Sequence, residues 1–569
     1  MPTTDLSQIS TEPEREAVMR DGVILRADIY RPDTDDLLPV LLCRTPYHKL
    51  SERHVQDAKN MATRGYIVVV QDVRGRYSSD GEYRWMFDDQ HCEPEDGYDT
   101  VEWAATLPNS NGNVGTFGLS YDGWLQWELA RLRPPHLKAM VPVGMCPRLL
   151  DLNFGIFETG RRLRWCYSMA ADYRQRTGIK TGPQTPEEAN KIWRQMEREK
   201  WLWFLPFADL PTDEIFAGLG DQFQAYLRHQ NVEYWAYPEA HRDVDVPVLG
   251  ITGWYDRLIG VIDHFNGMRQ NGRTEHARQN QKLLIGPWGH TTNFTRRVGQ
   301  LDFGSEAVLN YYDILSHWFD YWLKDIDTGV MGEPPIRRFV MGENRWQDDI
   351  VWPPADTIFT DYYFHSNGAA NTPLGDGRLS QTSPIEEPSD SYKYDPRDPV
   401  MSLCTPDVQD APYDQRPLDS RRDVLVFQTE PLTESVEVTG EVMIKLWASS
   451  SAPDTDFTAK LIDVHPNGFA TPLCYGIVRA QYRQSYKNPS LLTPGQVYEF
   501  TISLRATSNV FKAGHRIRVD ISSSNFPFFD RNHNTGRPFY EDTELVAATQ
   551  TIYHTAQYPS RVILPIIPR

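Results

Sequence analysis

A doubly wound α/β sheet, interrupted by an inserted helical cap and followed by an all-β sandwich, is the fold class that three observations on this chain predict. Short β-branched runs alternate with helix-compatible stretches over the first 144 residues. Long Trp-rich helical stretches then break that rhythm, and after about residue 350 the pattern changes to period-two alternation. The expected boundaries are 1–144 and 241–349 for the two parts of the α/β unit, 145–240 for the cap and 350–569 for the sandwich.

The runs Val40 to Cys43, Ile67 to Val70, Val114 to Phe117 and Ala139 to Val143 are apolar on both faces, as strands buried in a parallel sheet are. Ser51 to Arg64 and Asp96 to Leu107 read as helices between them, which makes βαβ units. The cap is predicted from Arg161 to Arg176 and from Pro186 to Trp203; an insertion there replaces one crossover loop and leaves the sheet intact. Strands return at Val248 to Thr252 and Lys282 to Ile285, and a last helix is expected near Ser305 to Lys324. In the C-terminal part Tyr498, Phe500, Ile502 and Leu504 share one face of a strand, and Ile517, Val519 and Ile521 repeat the pattern. Turns such as His465-Pro466-Asn467-Gly468 complete the signature of an antiparallel sandwich, while Thr382 to Pro417 reads as long loops laid over the other units.

With 58 basic and 77 acidic residues the formal charge is -19, a field that repels phosphate backbones and anionic membranes. Lys and Arg are scattered, so neither nucleic acid nor membrane is an expected partner. Six cysteines without a CxxC pair suggest neither a metal site nor a disulfide framework. The N-terminus lacks a basic segment followed by an apolar run, so a cytoplasmic protein is the expectation; assembly as a homo-oligomer is left open.

Gly118-Leu119-Ser120-Tyr121-Asp122-Gly123 lies between a predicted strand and a helical stretch beginning at Trp124. A GxSxxG pattern arises by chance about 0.2 times in a chain this long, so its context carries the argument. A strand-to-helix turn projects the serine above the sheet and aims the N–H of the next residue, Tyr121, at developing negative charge. A serine hydroxyl needs a base to take its proton and a carboxylate to orient that base. Gly253-Trp254-Tyr255-Asp256 and Gly286-Pro287-Trp288-Gly289-His290 supply both at carboxyl ends of predicted strands, where open α/β sheets place ligands. Ser120, Asp256 and His290, in that order, are the expected nucleophile, orienting acid and base of a serine hydrolase that uses no metal or organic cofactor.

The chain resembles the CocE/NonD hydrolase family, which is related to X-prolyl dipeptidyl aminopeptidases and α-amino acid ester hydrolases. The carriers are Arg44-Thr45-Pro46-Tyr47, Asp72-Val73-Arg74-Gly75-Arg76, the GLSYDG segment at 118–123, GWYD at 253–256, GPWGH at 286–290 and SSSNFPFFDRNHNTG at 522–536. The resemblance implies an α/β-hydrolase sheet, a helical cap and a C-terminal jelly roll. It also implies that Tyr47 donates its hydroxyl to the oxyanion beside the Tyr121 N–H. Two departures stand out: Gly289 where related sequences often carry serine, and Asp122 where they often carry an apolar residue.

The expected substrate is a small ester or activated amide. Trp165, Trp254 and Trp288 are the candidate pocket aromatics, the last two because they flank the catalytic loops. Arg257-Leu258-Ile259 after Asp256 offers no acidic cluster for a substrate ammonium. X-prolyl dipeptidyl peptidase or β-lactam acylase activity on the same machinery, and a non-catalytic jelly-roll binding protein, are the alternatives.

Overall fold

The computed structural model describes residues 9–86, 90–145, 156–228, 240–256, 260–292, 294–407 and 410–569. Its first layer structure is a ten-stranded sheet. Strands β1 (Ile9–Val18), β2 (Ile24–Pro32), β3 (Leu38–Thr45), β4 (Ile67–Asp72), β5 (Ser110–Leu119), β6 (Leu137–Val143), β7 (Val248–Tyr255) and β8 (Gln281–Gly289) lie in the order β1-β2-β4-β3-β5-β6-β7-β8. Ile336–Val340 and Arg345–Asp349 extend it. From β4 through Ile336–Val340 every neighbour is parallel. Both edges are antiparallel, which the sequence reading did not anticipate. β1 hides its strand character because Glu12, Glu14, Arg15 and Glu16 stud it, and such charge guards an edge strand against pairing with other chains.

Helices cover both faces. Helix α1 (Glu52–Ala62) and the helix Tyr311–Lys324 bury Met61, Trp318 and Phe319 against Val68, Val70 and Phe117. Helices α2 (Glu93–Ala105) and α3 (Tyr121–Ala130) bury Val101, Trp127 and Leu129 against Val40, Leu42 and Val69 on the other face. A side chain on Gly115 of β5 would meet the Phe319 ring at 2.6 Å, so glycine there lets the helix lie directly on the sheet. The chain winds to one side through β3 and β4, then crosses to the other through β5 and β6. This reversal places the carboxyl end of β5 at a topological switch point.

Between β6 and β7 the chain leaves the sheet for helix α4 (Thr159–Thr177) and shorter helices at Pro186–Ile192 and Arg198–Leu202. The helix expected over Pro186 to Trp203 is interrupted by a π-helical turn at Trp193–Glu197. Most of its aromatics are core: Trp193, Trp201, Phe207, Phe216 and Phe223 are buried together with Trp85 and Trp124 of the sheet unit.

The C-terminal part is an eleven-stranded antiparallel-rich sheet folded around its own core of Phe427, Phe457, Phe500, Ile502, Leu504, Ile517, Val519 and Ile521. Strand Val436–Ser450 pairs with Tyr498–Phe511, Ala548–Tyr553 and Arg561–Ile567, so one long strand serves several neighbours as it bends. The largely irregular segment before it reaches the cap, where Asp407 pairs with Arg194. Among the described residues no helix is long and apolar enough to cross a membrane.

Candidate active site

Ser120 sits between β5 and α3 with φ 63° and ψ -120°, a conformation that costs a non-glycine residue about 1–3 kcal/mol and recurs where function demands it. The turn is tight on both sides. A Cβ on Gly118 (φ +150°) would lie 2.5 Å from the Asp122 Cβ, and one on Gly123 would lie 3.1 Å from the Val143 carbonyl oxygen. Tyr121 is the first residue of α3, so its backbone N–H belongs to the helix's unpaired first turn and points where the dipole is positive.

His290 follows β8 and Asp256 follows β7, as neighbouring strand ends. His290 Nε2 lies 2.9 Å from Ser120 Oγ, and Nδ1 lies 3.0 Å from Asp256 Oδ1. A carboxylate only accepts, so Nδ1 carries the proton and Nε2 faces the serine as an acceptor. Asp256 is buried, and Thr252 Oγ1 also donates to it at 3.4 Å. Gly144, directly after β6, was missed by the sequence reading. Its φ is +59°, and a Cβ there would sit 2.8 Å from Asp256 Oδ2 and 3.6 Å from His290 Nδ1. A glycine ending a strand next to β7 was the available signal.

Tyr47 ends the turn after β3, and Arg76 fixes that turn. The Arg76 Nε–H donates to the Pro46 carbonyl at 3.1 Å and Nη1 to the Met169 carbonyl of α4 at 2.8 Å, while its guanidinium lies 4.8 Å from the Tyr83 ring centre. Arg44 is buried in a pair with Glu93 at 2.9 Å. The two arginine-bearing motifs therefore build the turn that presents Tyr47. Trp165 Nε1–H donates to the Tyr47 hydroxyl at 3.1 Å, occupying a lone pair and leaving the phenolic proton available as a donor. Burial first, and then the charge of Asp122, push the Tyr47 phenol up, so it remains a protonated donor at neutral pH.

The two departures from related sequences have distinct settings. A side chain at Gly289 would approach the Asp410 carbonyl oxygen at 3.3 Å, so glycine leaves room for the C-terminal unit. Asp122 is buried, and its Oδ2 bonds His54 Nε2 of α1 at 2.9 Å. Burial opposes a charge on the His54 ring, but the Asp122 carboxylate outweighs it and raises the imidazole above its ordinary value.

Ser120 and His290 open on a cleft of about 1210 Å³, counting its mouth, whose lining includes Tyr47, Tyr121, Trp165, Arg161 and Arg164. Trp165 is thus at the site, while Trp254 and Trp288 are not on this cleft. Trp254 donates its indole N–H to the Phe339 carbonyl at 2.7 Å and packs near Trp352. Trp288 donates to the Ala307 carbonyl at 3.0 Å and packs on Phe294. A register shift between β7 and β8 at Gly253/Tyr255 accompanies this placement, with the Gly253 Cα so close to the Trp288 carbonyl that no side chain fits.

Residues 21–292 match the family profile of the X-Pro dipeptidyl-peptidase (S15 family), and residues 328–563 match that of the X-Pro dipeptidyl-peptidase C-terminal non-catalytic domain. The chain is 37% identical to a cocaine esterase from Rhodococcus sp. (strain MB1 Bresler), over 97% of both chains. It is 26% identical to a putative serine esterase from Mycobacterium bovis, over 96% of this chain and 94% of that one. Among solved structures, an α-amino acid ester hydrolase superimposes with a TM-score of 0.82 at 28% identity, covering 100% of this chain and 98% of the other. An aminopeptidase from a marine sediment Thaumarchaeota archaeon gives 0.75 at 26% identity, with the same coverage.

Proposed function

The chain belongs to the CocE/NonD family of serine ester hydrolases, and from that premise we propose that it cleaves carboxylic esters by acyl transfer through Ser120. The observation that carries the residue assignment is the unbroken relay Ser120–His290–Asp256, at 2.9 and 3.0 Å, opening on a cleft. Ser120 Oγ attacks the ester carbonyl as its proton passes to His290 Nε2. Asp256 holds the ring in the right tautomer and stabilises the imidazolium. The oxyanion lies between the Tyr47 hydroxyl and the Tyr121 N–H, donors fixed before the charge develops. Collapse breaks the bond to the alcohol, which takes its proton from His290; water then repeats the sequence on the acyl-enzyme. None of these steps needs a metal or organic cofactor.

Ester cleavage is the shared term in the names of the cocaine esterase and the α-amino acid ester hydrolase, and it is the activity assigned here. A fluorophosphonate reagent tests the nucleophile. Peptide mapping is expected to place the label on Ser120, and labelling that persists unchanged in Ser120→Ala would overturn the assignment.

A further inference from the structure

Resting on the acyl-transfer reading of Ser120, we propose that the substrate is an anionic ester, one that carries a carboxylate or similar group on one of its halves. The chain as a whole carries a formal charge of -19, which repels such a molecule at long range. The cleft inverts that sign. Arg53, Arg161, Arg162 and Arg164 line it, with Glu187 the one acid among its described lining residues; behind the lining, Asp57 stands 3.5 Å from Arg53 and Glu158 3.9 Å from Arg161, which leaves the arginines in excess.

Three of these side chains belong to α4, where positions 161, 164, 165 and 168 recur at helical spacing and all line the cleft. Trp165 on this stripe reaches Tyr47, Arg161 reaches His290, and Arg164 lines the same cleft. Arg164 Nη1 is held by Asn190 Oδ1 at 2.8 Å, with Asp407 4.0 Å away and shared with Arg194. Its Nε–H is buried without a hydrogen-bond partner among the described residues. Burial, and then the like charge of Arg161 and Arg194, pull the Arg164 guanidinium below its ordinary value against the pull of Asp407. Holding cations this close costs free energy that an arriving anion returns, and a guanidinium meets a carboxylate through paired, charge-assisted hydrogen bonds.

Arg161 adds a second, independent argument. Its Nη2 lies 3.4 Å from His290 Nε2, the atom that receives and returns the proton in the acyl-transfer cycle. Each turnover makes His290 cationic, and a guanidinium at that distance opposes the charge. An anion on the substrate's alcohol half, drawn onto Arg161, removes the opposition at the moment the leaving oxygen needs its proton. Charge on the acyl half would use Arg164 instead.

The test compares isosteric pairs. para-Butanoyloxybenzoate against para-butanoyloxybenzamide probes the alcohol half; the para-nitrophenyl half-ester of glutaric acid against its terminal amide, para-nitrophenyl glutaramate, probes the acyl half. The proposal expects at least one anionic ester to exceed its neutral partner in kcat/KM by roughly 10- to 100-fold. That ratio should fall as salt is added, drop towards unity in Arg164→Gln or Arg161→Gln, and be partly kept in the corresponding lysine variant. Equal or reversed preference in both pairs overturns it. Calorimetric titration of the same esters into Ser120→Ala separates charge recognition from catalysis. Tighter binding of an anionic ester sustains the proposal even if Ser120 is not the nucleophile, and indifference to charge defeats it even if Ser120 is.

Discussion

Replacing Tyr47 by phenylalanine removes one oxygen and leaves the ring, its edge-on contact with Tyr121 at 6.3 Å and the turn held by Arg76 in place. Two energies then separate. The first is catalytic: one of two oxyanion donors is lost, and a lost donor of this kind costs about 2.7–4 kcal/mol of transition-state stabilisation, or roughly 100- to 1000-fold in kcat. The Tyr121 N–H remains, so the rate should stop well short of the uncatalysed value. The second is structural: Trp165 Nε1–H loses its acceptor, about 1–3 kcal/mol if no water replaces it, and this appears in thermal unfolding rather than in turnover. Because the hydroxyl acts on charge present only in the transition state, KM for a simple aryl ester should move little. Steady-state kinetics on such an ester, beside a melting curve, read both energies. A kcat within about fivefold of the parent, or a loss confined to KM, would refute the placement of this phenol at the oxyanion.

Asp256→Asn offers His290 Nδ1 an amide that stabilises the wrong tautomer, and kcat is expected to fall on the order of 10,000-fold with the fold intact; a loss below tenfold counts against the relay. Gly144→Ala places a methyl 2.8 Å from Asp256 Oδ2 at a φ that disfavours L-residues, and displacing the carboxylate should lower kcat by up to roughly 100-fold per ångström; an unchanged rate of fluorophosphonate labelling would contradict this. His54 is raised in the folded protein above its unfolded value near 6.5, so the charged His54–Asp122 pair stabilises fully below that pH and weakens as pH rises through the folded value. Melting temperatures of the parent and His54→Gln should therefore differ most in mild acid and converge in alkali; a gap that widens with pH defeats the linkage.

The arrangement of Ser120, Asp256 and His290 was legible because each follows an apolar run whose end the sequence marks with glycine, and strand ends in a parallel sheet converge on one edge. Their spacing in the chain, 136 and 34 residues, says nothing by itself. The pocket was much less legible. Trp254 and Trp288 stand within two residues of Asp256 and His290, yet both rings, beside a local register shift between their strands, enter cores that no local pattern announces. Trp165 reaches the site from 45 residues past the serine, because α4 lies across the carboxyl edge of the sheet. Arg161, Arg162 and Arg164 stand together in the sequence, but only the packing of α4 shows that they line the cleft of Ser120.

The C-terminal sandwich explains how so precise a site is built from such distant segments. Behind the triad it supports both loops: Tyr255 Oη donates to the Pro472 carbonyl at 3.2 Å, and the Asp410 backbone fills the space left by Gly289. On the opposite wall it anchors the start of α4. Asp530 Oδ1 accepts from the Phe157 N–H at 3.1 Å, and the Pro527 carbonyl accepts from the Gly160 N–H at 2.8 Å. Asp530 is itself held by buried Arg479 at 3.0 Å, which pairs with Asp456 through two 2.9 Å bonds. Removing one member of a buried charge network costs about 3–5 kcal/mol because the partner is left uncompensated, so these residues hold their geometry firmly. The segment SSSNFPFFDRNHNTG thereby sets where Arg161, Arg164 and Trp165 stand over Ser120. The sandwich acts on the chemistry through the two loops behind the triad and through the position of one helix.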